Sequence, residues 1–123
     1  LDWGLHKLYE RINHEFDDEK GHATKLIERM LFLGGKPDMQ TRVGYKVGTN
    51  VPEMLQSDLR VEYEVADKLR NVIAMCESEK DYVTRDMLMI LLDDTEMDHA
   101  YWLEQQLGLI EMLGLSNYLQ SQM

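Results

Sequence analysis

Phe16-Asp17-Asp18-Glu19-Lys20-Gly21-His22-Ala23 and Leu92-Asp93-Asp94-Thr95-Glu96-Met97-Asp98-His99-Ala100-Tyr101-Trp102 interrupt two apolar stripes in the same way. In each, a glutamate and a histidine three residues apart fall on positions that the periodicity turns inward. Residues at i and i+3 share a helix face, so one carboxylate and one imidazole can reach a single cation from each helix. A further stripe, lying between these two in the sequence, passes through Glu62 between Leu59 and Ala66. An isolated buried carboxylate costs several kcal/mol unless it is paired, protonated or bound to a cation. One such position alone reads as a core residue satisfied by a partner. Two of the same spacing on separate stripes, with an inward carboxylate on a third, read as a metal centre. Facing helices of this kind hold a bridged pair of iron or manganese ions. The candidate ligands are therefore Glu19, His22, Glu62, Glu96 and His99.

Outward from these gaps the chain reads as all-α. Leu8, Ile12, Phe16, Ala23, Leu26, Met30 and Leu33 recur at helical spacing, as do Leu55, Leu59, Val65, Ala66, Leu69, Ile73 and Cys76. The third stripe, opening after Asp81 or Thr84, runs Leu88, Leu92, Trp102, Leu103, Leu107, Ile110 and Leu113. Stripes of this period mark bundle helices. Gly34-Gly35 stops the first, Pro52 with Glu53 suits a helix start, and Gly114 ends the third. The expected elements are helices over about 3–34, 52–80 and 82–113, a short helix over 115–122 and a loop over 35–51, in one domain spanning 1–123. Antiparallel neighbours need only a short loop, so the long one predicts a crossover to a helix running the same way. The site calls for a carboxylate from each of four helices, and three long helices are present. Either a helix precedes Leu1 outside this sequence or a partner completes the bundle.

The formal charge of −10, from 23 acidic and 13 basic residues, argues against nucleic acid or an anionic membrane as partner. It suits the attraction of cations, as it would any acidic soluble protein. No apolar run approaches the ~18 residues of a membrane span. The single cysteine, Cys76, excludes an internal disulfide framework and fits a reducing, cytoplasmic setting.

The chain resembles bacterioferritin, of the ferritin superfamily, from the end of that family's first helix onward. The likeness rests on Trp3-Gly4-Leu5, Asn13-His14-Glu15, Glu19 to Ala23 and Arg29-Met30-Leu31-Phe32-Leu33-Gly34-Gly35-Lys36-Pro37. It continues through Asp58-Leu59-Arg60-Val61-Glu62-Tyr63, Asp81-Tyr82-Val83-Thr84-Arg85-Asp86, His99-Ala100-Tyr101-Trp102-Leu103-Glu104 and Asn117-Tyr118-Leu119-Gln120-Ser121-Gln122. The resemblance implies a ferritin-like four-helix bundle, its first helix absent from this sequence, with a long crossover and a short fifth helix near a four-fold axis. It implies a hollow shell of twenty-four subunits that oxidises, stores and detoxifies iron, a ferroxidase. In that family Glu19 and Glu96 match bridging carboxylates, His22 and His99 terminal ligands, and Glu62 a terminal carboxylate. His14 and Asp18 match iron-binding positions on the inner surface of some members; they read equally as solvated helix residues. Asn117 and Gln120 match pore-lining positions and are explained as well as ordinary polar residues near a C-terminus.

One departure concerns haem b. Haem-binding members place a Met directly after the Glu of the first Glu-x-x-His, and here that position is Lys20. A protonated ammonium is a poor axial ligand and has no thioether to offer. The expectation is a subunit of the type lacking the Met, which does not bind haem with its own kind, in a homo-oligomer or in a mixed shell with a Met-bearing partner. Iron release calls for a ferredoxin or another reductase as partner. Three rivals stand beside this reading: another di-iron enzyme such as a rubrerythrin or an oxygenase, a shell subunit with an idle or incomplete site, and a metal-free bundle. Rubrerythrins usually carry an extra carboxylate and a Cys-rich iron domain, and neither shows in this sequence. The last leaves five inward ionisable residues unexplained.

Overall fold

The computed structural model describes residues 4–38 and 49–123. Most of the expected crossover, including the alternating Val43, Tyr45 and Val47, lies outside the described residues, as does Trp3. The described residues form helices and turns with no strand among them. They belong to two compact units, Leu1–Gly44 with Leu115–Met123, and Tyr45–Gly114.

In the first unit, helix α1 spans His6–Phe32. Its end follows from Gly34 at φ 82°, a conformation only glycine adopts freely. There the Gly35 N–H donates to the Met30 carbonyl at 2.9 Å and the Gly34 N–H to that of Leu31 at 3.0 Å, the paired bonds of a Schellman stop. A short helix, Leu115–Ser121, belongs to the same unit. The Lys7 N–H donates to the Gln122 carbonyl at 3.1 Å, tying the start of α1 to the end of the chain. Tyr118 is fully buried, and that burial pushes its hydroxyl up to about 12. Of the α1 stripe only Leu8 is buried, while Phe16, Met30 and Leu33 join Leu31 and Phe32 in solvent. Each Å² of apolar surface left in water forgoes about 25 cal/mol, so covering these side chains is favourable.

The second unit is a helical hairpin. Helix α2 spans Val51–Ser78, opened by Asn50, whose side chain accepts from the Glu53 N–H at 3.0 Å. Glu53 reaches back to the Thr49 N–H at 2.9 Å, so two otherwise orphaned donors are satisfied reciprocally. Helix α3 spans Tyr82–Asp93 and is capped by Asp81, which accepts from the Thr84 N–H at 3.2 Å. Between them the chain reverses over Glu79 to Asp81. Lys80 sits at φ 60°, its N–H on the Glu77 carbonyl, and the Asp81 N–H reaches that of Cys76 at 2.8 Å. The partners run antiparallel, because Glu77 meets Arg85 at the closed end while Glu62 meets His99 farther along. Leu55, Ala66 and Cys76 of α2 are buried, as are Leu88, Leu91 and Leu103 of the returning arm. Each fully buried leucine contributes about 1.5–3 kcal/mol relative to exposure.

The returning arm is not a uniform α-helix. Asp94–Ala100 is π-helical and joins α3 to a fourth helix, α4, at Tyr101–Leu113. The burial pattern explains why. Leu91, Thr95, His99 and Leu103 are all buried, at steps of four residues. An α-helix completes a turn in 3.6 residues, so three such steps drift off one face unless a wider turn absorbs the excess. Apolar periodicity alone is too coarse to reveal a shift of one residue. None of the described helices is long and apolar enough to cross a membrane.

Candidate metal centre

On α1, Glu19 and His22 lie one helical turn apart with Glu19 Oε1 3.9 Å from His22 Nδ1. One turn earlier on the same helix, His14 Nε2 stands 3.4 Å from Asp18 Oδ2, both side chains substantially exposed. These are separate groupings within one helix. Lys20 extends its ammonium over the Phe16 ring, 5.0 Å from the centroid, a cation–π contact.

In the hairpin unit, α2 presents Glu62 and the π-helical segment presents Glu96 and His99. His99 has no solvent exposure, and its Nδ1 lies 3.6 Å from Glu62 Oε1. The other oxygen, Glu62 Oε2, is also buried and receives no hydrogen bond among the described residues. A buried carboxylate oxygen without a donor is costly, and a divalent cation is one way to satisfy it. One turn before Glu62, burial first and then the Glu62 charge push the Asp58 carboxyl above its ordinary range. Carboxylate oxygens with imidazole nitrogens are a donor set for iron, manganese or zinc. The residues present fit such an ion.

Glu96 points elsewhere than Glu62. Its carboxylate is in contact with the Arg70 guanidinium, which also donates from Nη1 to Asp67 Oδ1 at 3.0 Å. This group lines an open cleft of about 440 Å³, with Tyr63, Ala66 and Arg70 on one wall and Ala100 and Glu104 on the other. Burial, then the charge and hydrogen bond of Glu104, raise the Tyr63 hydroxyl above its ordinary value. Arg70 and the π-helical turn both escaped the reading of the sequence. A signal existed for Arg70: Glu62, Ala66 and Arg70 follow one another at four-residue spacing and share a face of α2.

Comparison with known proteins gives a consistent result. The family described as Ferritin-like domain matches residues 1–113. A protein named bacterial ferritin from Synechocystis is 61% identical over 122 residues, covering 99% of this chain and 78% of the relative. Another of that name from Pseudomonas aeruginosa is 56% identical over 121 residues, covering 98% of this chain and 78% of the relative. A bacterioferritin from Brucella melitensis is 36% identical over 117 residues, covering 95% and 72%.

Proposed function

The chain belongs to the ferritin family, and from that premise we propose that it oxidises Fe(II) to Fe(III) at a di-iron centre and stores the ferric product. Iron is here both the occupant of the centre and the substrate. In this reading Glu19 and Glu96 bridge the two ions, His22 and His99 are terminal ligands, and Glu62 is a terminal carboxylate. The observation that carries it is the pairing of Glu62 with His99. An imidazole without solvent exposure faces a carboxylate whose second oxygen is buried and undonated, a pair poised for a cation.

The chemistry follows from the donor set. Imidazoles and carboxylates bind Fe(II) at neutral pH, and a carboxylate-rich set favours the harder Fe(III). Two ferrous ions each give up one electron, so dioxygen or peroxide accepts a pair without single-electron steps. The net charge of −10 raises the local cation concentration and favours growth of the ferric mineral. His14 and Asp18, paired on α1, serve as an additional iron contact at the mineral face.

We further propose that the working form is a cytoplasmic shell of twenty-four subunits. The solvent-facing apolar residues at the end of α1 supply part of the surface that association would bury. Lys20 leaves a homo-oligomer without an axial ligand for haem b, so haem enters only alongside a Met-bearing subunit. A ferredoxin supplies the electrons for release.

Replacing both Glu19 and Glu96 by Ala tests the assignment. Rapid Fe(II) oxidation is expected to fall by at least about 100-fold, since losing even a residue that only supports a metal ligand costs about 10–100-fold. Assembly, followed by size-exclusion chromatography, is expected to stay intact. Unchanged oxidation rates overturn the ligand set. A second reading, a shell subunit whose site stays idle, is favoured by one observation, the Arg70 guanidinium held against Glu96. Anaerobic Fe(II) titration followed by exposure to O₂ separates the two, since an idle subunit shows no fast oxidation.

A further inference from the structure

Arg70 has no part in the oxidation proposed above, yet it touches one of the proposed ligands. Glu96 Oε1 is shielded from solvent, although the side chain as a whole remains partly exposed. A shielded carboxylate oxygen needs a positive partner, and the guanidinium in contact with Glu96 is a charge that can serve as one. We infer that Arg70 is a counter-ion that holds Glu96 while the site is empty of iron and surrenders it when iron binds. It is a positioning residue that sets how tightly the site takes its cations. The inference rests on the reading of Glu96 as a ligand.

Three features of the hairpin unit support an exchange over a fixed pair. A guanidinium and a divalent cation cannot both sit against one carboxylate without repelling each other at close range. Arg70 has somewhere to go, because it is already bonded to Asp67 at 3.0 Å and leaves Glu96 without being stranded as a lone charge. It also has room to move: its side chain is 51% exposed and borders the open cleft, so release needs no repacking of the core. Glu62 and His99 keep their own contact on the shielded side, so only one of the ligands contributed by this unit must be freed.

The size of the effect follows from exposure. Partly exposed ion pairs are worth up to about 1 kcal/mol, so removing the competitor tightens cation binding by up to about fivefold. The experiment is calorimetric titration of the full chain with Co(II), which binds such donors without reacting with O₂ on this timescale, in wild type, Arg70→Gln and Arg70→Lys. Thermal unfolding is followed with and without saturating Co(II). Arg70→Gln is expected to bind Co(II) about fivefold tighter at unchanged stoichiometry. Its metal-free form is expected to unfold at a lower temperature than wild type, and saturating Co(II) to close or reverse that gap, because stabilisation by a ligand grows with the logarithm of its affinity. Unchanged or weaker binding, or a stability gap that persists equally with Co(II), overturns the inference and makes Arg70 a structural brace. If Arg70→Gln fails to fold, Arg70→Lys decides. It keeps the charge but loses the fork, so about twofold tighter binding is expected and none overturns the inference. Wild type that takes up no Co(II) refutes the metal centre itself, an outcome distinct from variants that bind just as wild type does.

Discussion

Lys80 occupies a position at which its own side chain is a handicap. At φ 60° an L residue other than glycine carries a penalty of roughly 1–2 kcal/mol, and here the bonds of the α2–α3 turn hold it there. Lys80→Gly is expected to raise the unfolding free energy by about 0.5–1 kcal/mol, the backbone gain less the added freedom of glycine in the unfolded chain. Chemical denaturation at fixed subunit concentration measures it, and a lowered midpoint counts against the turn geometry. At this scale the sequence was readable for kind and silent on pairing. The gaps in the apolar stripes name Glu62, Glu96 and His99 as inward ionisable residues. They do not say that His99 turns to Glu62 while Glu96 turns to Arg70, because those choices depend on the register of two helices against each other.

Among the elements, the returning arm of the hairpin carries the most information. Its three- and four-residue spacings made a helix legible, and they are equally compatible with a π-helical turn, which differs by one residue in phase. That turn has a function in the packing: it keeps Leu91 and Leu103 on the α2 side while Glu96 and His99 lie between them. Deleting Met97, which is largely exposed, lets the arm return to an α-helical ladder with both flanks still seated. It also brings Glu96 and His99 to i and i+2, which do not share a face. The deletion variant is therefore expected to keep its helical circular dichroism and to lose most of its Co(II) affinity. Retained affinity would show that the spacing is not what aligns the two side chains. The fold class was open to the sequence for the same reason that the turn was hidden: long stripes average over many residues, and a single extra residue does not.

For the molecule as a whole, the acidic balance and the family agree on cations, and the proposed exclusion of haem rests on Lys20. Its ammonium rests on the Phe16 ring on an exposed stretch of α1. A purified homo-oligomer reconstituted with haem b is expected to show no absorbance band of bis-methionine character, and Lys20→Met is expected to restore it. Such a band in wild type would overturn the haem assignment. Cys76, the chain's single thiol, has a different consequence, for the bench. It is buried near the end of α2, which slows its reaction with oxidants and with a second chain's thiol. The protein can therefore be purified and stored without dithiothreitol or a similar reagent. Such reagents reduce ferric ion, so their omission leaves every electron in an iron-oxidation assay attributable to the metal.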